Sequence, residues 1–236
     1  RGMRVTGSEL IGLVPLQAML DAGKYFLLKQ QRSVGIPDEE IIRIAIKSLG
    51  LDELAPFDPK KRIIEYLIDD KQNKLVDMSL TGFSNETLSE SPAPGGGSVS
   101  AYVGALGAAL GSMVANLSAH KRGWDERWEE FSGWAEKGKL AHDRLLKLVD
   151  EDTAAFNAIM DAFGLPKSTD QEKKLRSAAI QAATKHAIEI PFEVMKTAYQ
   201  SLEVIQAMAT IGNPNSLSDA GVGALCVRTA VYGAYL

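Results

Sequence analysis

At 236 residues, with 45% hydrophobic and 24% charged side chains, the chain has the composition of a folded globular protein and not of a disordered segment; its length allows one large domain or two small ones. A formal charge of −4, with no dense Lys/Arg cluster interleaved with aromatics, argues against a nucleic-acid partner. The single cysteine, Cys226, excludes an internal disulfide, and the first residues lack the charged-then-apolar pattern of a secretory signal, so a reducing cytoplasm is the expected location.

In chain order, Met3 to Thr6 reads as a short strand running into the turn Gly7-Ser8-Glu9. Pro15 suits the first position of a helix whose face carries Leu16, Met19, Leu20, Gly23, Phe26 and Leu27. Pro37 opens a second helix with Ile41, Ile44, Ala45 and Leu49, stopped by Gly50. Asp58-Pro59 caps a third, short helix through Leu67. The polar run Asp69 to Lys74 then interrupts the apolar pattern, which divides the chain into residues 1–68, a linker over 69–76 and a second domain over 77–236.

The second domain has helical periodicity throughout. Leu80 and Phe83 suggest a brief helix before the breaker run Ser91 to Gly97. From Ser98 to Ala119 there is no charged residue, which is length enough to span a bilayer, yet Ala, Gly, Ser and Asn make up most of it, so transfer into lipid gains little and no membrane span is expected. Large residues at 99, 102/103, 106, 110, 113/114 and 117, with small ones on the remaining faces, predict the central helix of a bundle. A long helix follows from Leu140 to Phe163, and Thr169 with Glu172 forms a capping-box pattern for the next. Pro191 marks a break, after which Phe192, Met195, Ala198, Tyr199, Leu202, Ile205 and Ala209 make another face. Gly212 to Asn215 is a turn, and Ser218 or Asp219 caps a last helix to Leu236.

Asp152 is the most informative residue by position. At 100° per residue it stands within about 40° of Leu145, Leu148, Phe156 and Ile159, whereas Asp150 and Glu151 point away from that stripe. A carboxylate in a core-facing stripe is costly unless paired, so Asp152 is either a structural partner for a helix end or an Arg, or a functional acid–base group. Gly95, Gly96, Gly97 and Ser98 precede a helix, where backbone N–H groups favour an anion; a plain turn with close backbone packing satisfies the same pattern, which matches neither the P-loop nor the dinucleotide fingerprint. His120-Lys121-Arg122 suits the negative end of the central helix, as an ordinary solvated terminus does too. Asn213, Asn215, Ser218 and Asp219 similarly form a polar turn that is a capping device or a site. His120, His142 and His186 show no metal spacing, and no nucleophile motif occurs.

Together, Ser91 to Val99, Gly107 to Val114, Leu148 to Asp152 with Phe156, Leu165-Pro166-Lys167 and Gly212 to Ser216 with Ser218-Asp219 resemble the cyclodeaminase part of the formimidoyltransferase-cyclodeaminase family. Several motifs in one order over about 150 residues are more specific than any one of them. Val5 to Pro15, Leu49-Gly50-Leu51 and Pro56 to Leu67 resemble the tail of the family's transferase domain. That domain is several times longer in the family and its catalytic His lies outside these residues, so none of the three histidines here inherits its role; the family's cyclodeaminase also continues past the helix that holds Tyr232 to Leu236.

The resemblance implies a mainly α fold, a cyclodeaminase-like helical bundle preceded by a short α/β transferase tail. It implies conversion of 5-formimidoyltetrahydrofolate to 5,10-methenyltetrahydrofolate and ammonia, in histidine degradation and one-carbon metabolism. By its Leu-Val-Asp-x-Asp motif the catalytic acid/base falls on Asp152. Gly95, Gly96, Gly97 and Ser98 are candidates for folate binding, Lys121 and Arg122 for the folate glutamate tail, and Asn213, Asn215 or Asp219 for the pterin. No metal or cofactor beyond the tetrahydrofolate substrate is implied, and the family's site is associated with a homodimer inside a larger homo-oligomer. The alternatives are a methenyltetrahydrofolate cyclohydrolase on the same helical domain and a non-catalytic helical interaction module.

Overall fold

A computed structural model describes residues 7–68 and 74–236, which fall into two compact units. The strand expected over Met3–Thr6 lies outside the described residues, as does most of the expected linker.

The first unit comprises residues 1–72 with 115–136. Its α1 (Leu16–Lys29) and α2 (Asp38–Leu49) pack face to face, burying Met19, Ile42, Ala45 and Ile46 in one cluster and Leu27, Val34 and Ile41 in another. Gly50 ends α2 in the left-handed conformation, φ 66°, that glycine adopts without a Cβ clash. The third helix is not continuous: α3 (Pro59–Arg62) and α4 (Ile64–Ile68) are separated by Ile63, which is extended, fully buried and bridged in parallel to Val14. Val14 N–H donates to the Arg62 carbonyl at 2.9 Å and Ile64 N–H to that of Val14 at 3.0 Å, so pairing with a distant segment outweighs one more helical turn. This isolated bridge is the only β feature among the described residues.

The second unit comprises residues 73–114 with 137–236. After a 3-10 turn over Leu75–Asp77 and α5 (Leu80–Leu88), α6 (Gly96–Ala119) starts two residues before the expected Ser98. Two helices are longer than their patterns suggest. The first, α7 (Trp128–Gly164), begins well ahead of Leu140, and α8 (Asp170–Ile211) passes through Pro191 without stopping. Proline removes an N–H from the helix ladder, but Ile190, Val194, Thr197, Ala198, Ser201, Val204, Ile205 and Met208 are buried along one line, and that packing carries the helix past the missing bond. At its start the capping box between Thr169 and Glu172 is complete. Asn213 caps the 3-10 turn Pro214–Ser216 that leads into α9 (Leu217–Tyr235); Ser218 and Asp219 lie inside α9 instead of capping it.

Helix α6 is long and apolar enough to cross a membrane by length and composition, but its small faces are occupied by neighbouring helices. A Cβ on Gly107 would lie 2.7 Å from Val227 Cγ2 and 2.9 Å from the Gly223 carbonyl on α9. One on Gly104 would lie 3.1 Å from Ala230 and 3.4 Å from Leu145 of α7, and one on Gly111 3.2 Å from Ile205 of α8. These pairs make α6 the centre of the bundle, as its composition suggests, with α7 and α9 antiparallel to it and α8 parallel.

Candidate active site

The antiparallel pairing of α6 and α7 carries Asp152 to the first turn of α6. The Ser98 hydroxyl, on a fully buried residue, donates to Asp152 Oδ2 at 2.8 Å and stands 3.3 Å from the Thr153 hydroxyl. Gly97 leaves the space for this carboxylate: a Cβ there would lie 2.7 Å from both Cγ and Oδ2 of Asp152 and closer still to Oδ1. The charge thus sits at the positive end of a 24-residue helix, whose first-turn N–H groups have no acceptor one turn back. Among the described residues Oδ1 has no hydrogen-bond donor.

The stripe that carries Asp152 is only partly a core stripe. Leu145, Leu148 and Val149 are fully buried, but Phe156, Met160 and Phe163 are 41%, 55% and 51% exposed. Asp152 therefore stands half-buried where the apolar face emerges at the surface. A carboxylate with one oxygen tied and one open, beside exposed apolar side chains, can exchange a proton with a bound molecule while sheltered on its protein side.

Asp150 does not simply point outward. Its Oδ1 accepts from Leu75 N–H at 2.7 Å, and Val76 N–H bonds to the same carboxylate, so it caps the turn that leads into the bundle. Burial pushes its carboxyl above the ordinary value against the pull of those two N–H groups. The sequence offers no sign of this role, because the groups it caps are backbone, distant in the chain.

The other sequence candidates are dispersed. Gly95, Gly96, Gly97 and Ser98 lie at the mouth of α6, with Gly97 and Ser98 directly against Asp152. Asn213 Oδ1 accepts from Asn215 N–H at 3.2 Å, and Asp219 follows in the first turn of α9. That turn adjoins the far end of α6, since a Cβ on Gly212 would lie 3.1 Å from Val114 Cγ1. From Gly97 to Val114 a helix rises roughly 25 Å, at about 1.5 Å per residue. Within the chain, Asn213, Asn215 and Asp219 are therefore not brought to Asp152. Lys121 and Arg122 belong to the first unit, where the Lys121 ammonium lies 4.1 Å from the centre of the Trp124 ring. Among the described residues no group of three His, Cys, Asp or Glu is placed to hold a metal ion. An open cleft not foreseen from the sequence is lined by Lys167, Lys173, Arg176, Ser177, Ile180 and Gln181. Arg176 is already engaged, donating to the Phe163 carbonyl at 3.1 and 3.3 Å, and Lys173 pairs with Asp170 at 3.1 Å.

A helical bundle whose central helix opens against a half-buried carboxylate offers a candidate acid–base site. The chain belongs to the formiminotransferase-cyclodeaminase family: the model described by that name matches residues 79–236, and one described as formiminotransferase domain matches residues 1–69. It is 43% identical over 233 residues to formimidoyltransferase-cyclodeaminase of Mus musculus, an alignment covering 98% of this chain and 43% of that protein. The chain thus spans less than half the length of this relative. It is 37% identical over 164 residues to methenyltetrahydrofolate cyclohydrolase of Methylorubrum extorquens, covering 70% of this chain and 77% of that protein. Among solved structures, formiminotetrahydrofolate cyclodeaminase from Thermotoga maritima superposes with a TM-score of 0.60 at 28% identity, covering 69% of this chain and 77% of that one.

Proposed function

We propose that the helical domain is a formimidoyltetrahydrofolate cyclodeaminase in which Asp152 is the catalytic acid/base, acting in histidine degradation and one-carbon metabolism as part of a bifunctional transferase-cyclodeaminase. The observation that carries this reading is the Asp152 carboxylate held against Gly97 and Ser98 with Oδ1 open, in a chain of this family. N10 of the folate attacks the amidinium carbon and forms the C–N10 bond, giving an aminal in which N10 carries the extra proton. Asp152 takes that proton and passes it to the amino group, the C–NH2 bond breaks, and ammonia leaves. The positive charge of the amidinium remains on the methenyl product, so atoms and charge balance. One carboxylate performs both transfers in sequence, and its charge stabilises the cation at either end of the path. The chemistry calls for no metal, nucleotide or prosthetic group.

Exposed Phe156 and Met160 beside Asp152 offer an apolar bed for the pterin or the aminobenzoyl ring. Asn213, Asn215 and Asp219 stand at the other end of α6, so if they contact the same substrate they do so from a second subunit. A homo-oligomer fits this, and exposed Leu106 and Met113 on α6 with Leu217, Val222 and Leu225 on α9 give it an apolar surface to bury. Lys121 and Arg122 are proposed for the glutamate carboxylates on charge alone.

The test is turnover of 5-formimidoyltetrahydrofolate, followed by ammonia release and methenyl absorbance. Asp152→Asn, which keeps volume and hydrogen bonding but cannot exchange the proton, should lose on the order of 10²–10⁴-fold in kcat. Wild-type turnover in that mutant would sink the assignment. The Methylorubrum extorquens relative favours a second reading, hydrolysis of 5,10-methenyltetrahydrofolate to the formyl compound. Loss of methenyl absorbance from added product, faster than the formimino substrate is consumed, would select it. A folded protein that binds no tetrahydrofolate in calorimetry would select the interaction module instead.

A further inference from the structure

We propose that Ser98 is a positioning residue for Asp152 and not a folate contact. The inference rests on the reading of Asp152 as the acid/base. A serine hydroxyl carries one proton, and that of Ser98 is donated to Asp152 Oδ2 at 2.8 Å from a residue with no solvent exposure. Its remaining capacity faces the Thr153 hydroxyl at 3.3 Å. No proton is left to donate to a substrate, and with no solvent exposure the last lone pair is not open to one. The hydroxyl also forgoes the usual uses of serine in a first helical turn, capping or bonding back to a nearby carbonyl. Ser100, one residue pair further on, does bond back, donating to the Gly96 carbonyl at 2.7 Å. Ser98 reaches across to α7 instead.

Gly97 and Ser98 both act on the one carboxylate, Ser98 through a hydrogen bond and Gly97 through the space its missing side chain leaves. The hydroxyl fixes Oδ2, and the missing side chain of Gly97 leaves room for the carboxylate as a whole, which a Cβ there would displace, Oδ1 most closely. Rotation about the terminal torsion of an aspartate is soft, so without such a tie the two oxygens exchange places and the open lone pair wanders. With it, Oδ1 alone is presented. Proton transfer in sequence between two nitrogens of one aminal demands that a single oxygen stay in reach of both, and geometric looseness there lowers turnover before it lowers binding.

The experiment compares Ser98→Ala, Asp152→Asn and the double mutant with the wild-type chain, reading kcat, KM, the thermal midpoint, and tetrahydrofolate affinity by calorimetry. Ser98→Ala removes one hydroxyl from a buried site and leaves the backbone unchanged. The expected result is a loss on the order of 10- to 100-fold in kcat, the worth of a hydrogen bond to a charged group, with KM and tetrahydrofolate affinity within about twofold. In the Asp152→Asn background the same substitution should cost little further, because the two residues act as one unit. Ser98→Ala with turnover within twofold of wild type, whatever its thermal midpoint, overturns the proposal. So does a loss of affinity matching the loss of turnover, or a loss that adds in full to that of Asp152→Asn; either would make Ser98 a substrate contact. If Asp152→Asn itself keeps wild-type turnover, the failure belongs to the acid/base reading and not to the bond between these side chains.

Discussion

Asp150 and Asp152, two residues apart on α7 and about 200° apart around it, should fail in opposite ways when substituted. Asp150→Ala removes the acceptor for Leu75 N–H, at 2.7 Å, and for Val76 N–H, and so uncaps the turn Leu75–Asp77. Losing a helix-type cap costs about 1 kcal/mol, and a sheltered N–H left without a partner about 1–3 kcal/mol. Part of this is returned, because burial already disfavours the Asp150 charge and the substitution removes it. A net loss of about 1–2 kcal/mol is expected. For a chain of this size each kcal/mol moves the thermal midpoint by roughly 2–4 °C, so the shift should be about 2–8 °C downward. Asp150→Asn keeps an acceptor oxygen and should lose about half as much. Turnover at a temperature well below the midpoint should stay within about threefold of wild type, in contrast to Asp152→Asn. Thermal unfolding by circular dichroism and cyclodeaminase turnover, measured on the same preparations, separate the two residues. An unchanged midpoint for Asp150→Ala, or a turnover loss equal to that of Asp152→Asn, would refute the division of labour between them.

Gly107→Ala places a methyl 2.7 Å from Val227 Cγ2 and 2.9 Å from the Gly223 carbonyl, so α6 and α9 must part; overpacking of this kind costs about 1–3 kcal/mol, and a denaturant midpoint equal to wild type would show that α9 has room to move. His120 is held below its ordinary value of 6.5, first by burial and then by the positive charge of Arg32. A depressed value means the unfolded chain binds the proton more readily, so this contribution to stability is present above about pH 6.5 and is lost as pH falls toward the folded value. His120→Gln should flatten the pH dependence of the unfolding midpoint below pH 6.5, and an undiminished slope would assign it to other groups.

Much of the fold is legible because helices advertise themselves twice, through period and through punctuation. The charge-free segment with small residues on several faces could only be covered from all sides by other helices, and the Gly107 and Gly111 contacts are that covering. Thr169 with Glu172, and Gly50, mark helix ends by local chemistry that needs no tertiary context. The errors arise where tertiary packing overrides a local signal. Pro191 reads as a break because its ring removes a donor, but the buried line from Ile190 to Met208 supplies more than the lost bond. Ile63 reads as helix, and its pairing with Val14 is invisible in the chain. The early start of α7 has a faint signal in the sequence: Trp128, Phe131 and Ala135 keep helical spacing, and Phe131 and Ala135 are fully buried, though Gly133 and Gly138 dilute the pattern.

The candidate site was legible in its centre and not in its supports, and the reason is the same for each support. Asp152 stands out because a charge on an apolar stripe violates the period, and a violation is visible in one sequence. Ser98 and Asp150 violate nothing: a serine in a first helical turn and an aspartate on a polar face are each where propensity puts them. Their roles consist of partners 54 and 75 residues away. Even Asp152 was placed too deep, since periodicity tells which side of a helix faces inward but not how far along it the neighbouring helices reach. Phe156 and Met160 share the stripe yet lie exposed, because α6 begins at Gly96 and Asp152 is already level with its first turn. That same limit leaves the carboxylate partly exposed at the start of α6, where Oδ2 is held by Ser98 and Oδ1 takes no donor from the described residues.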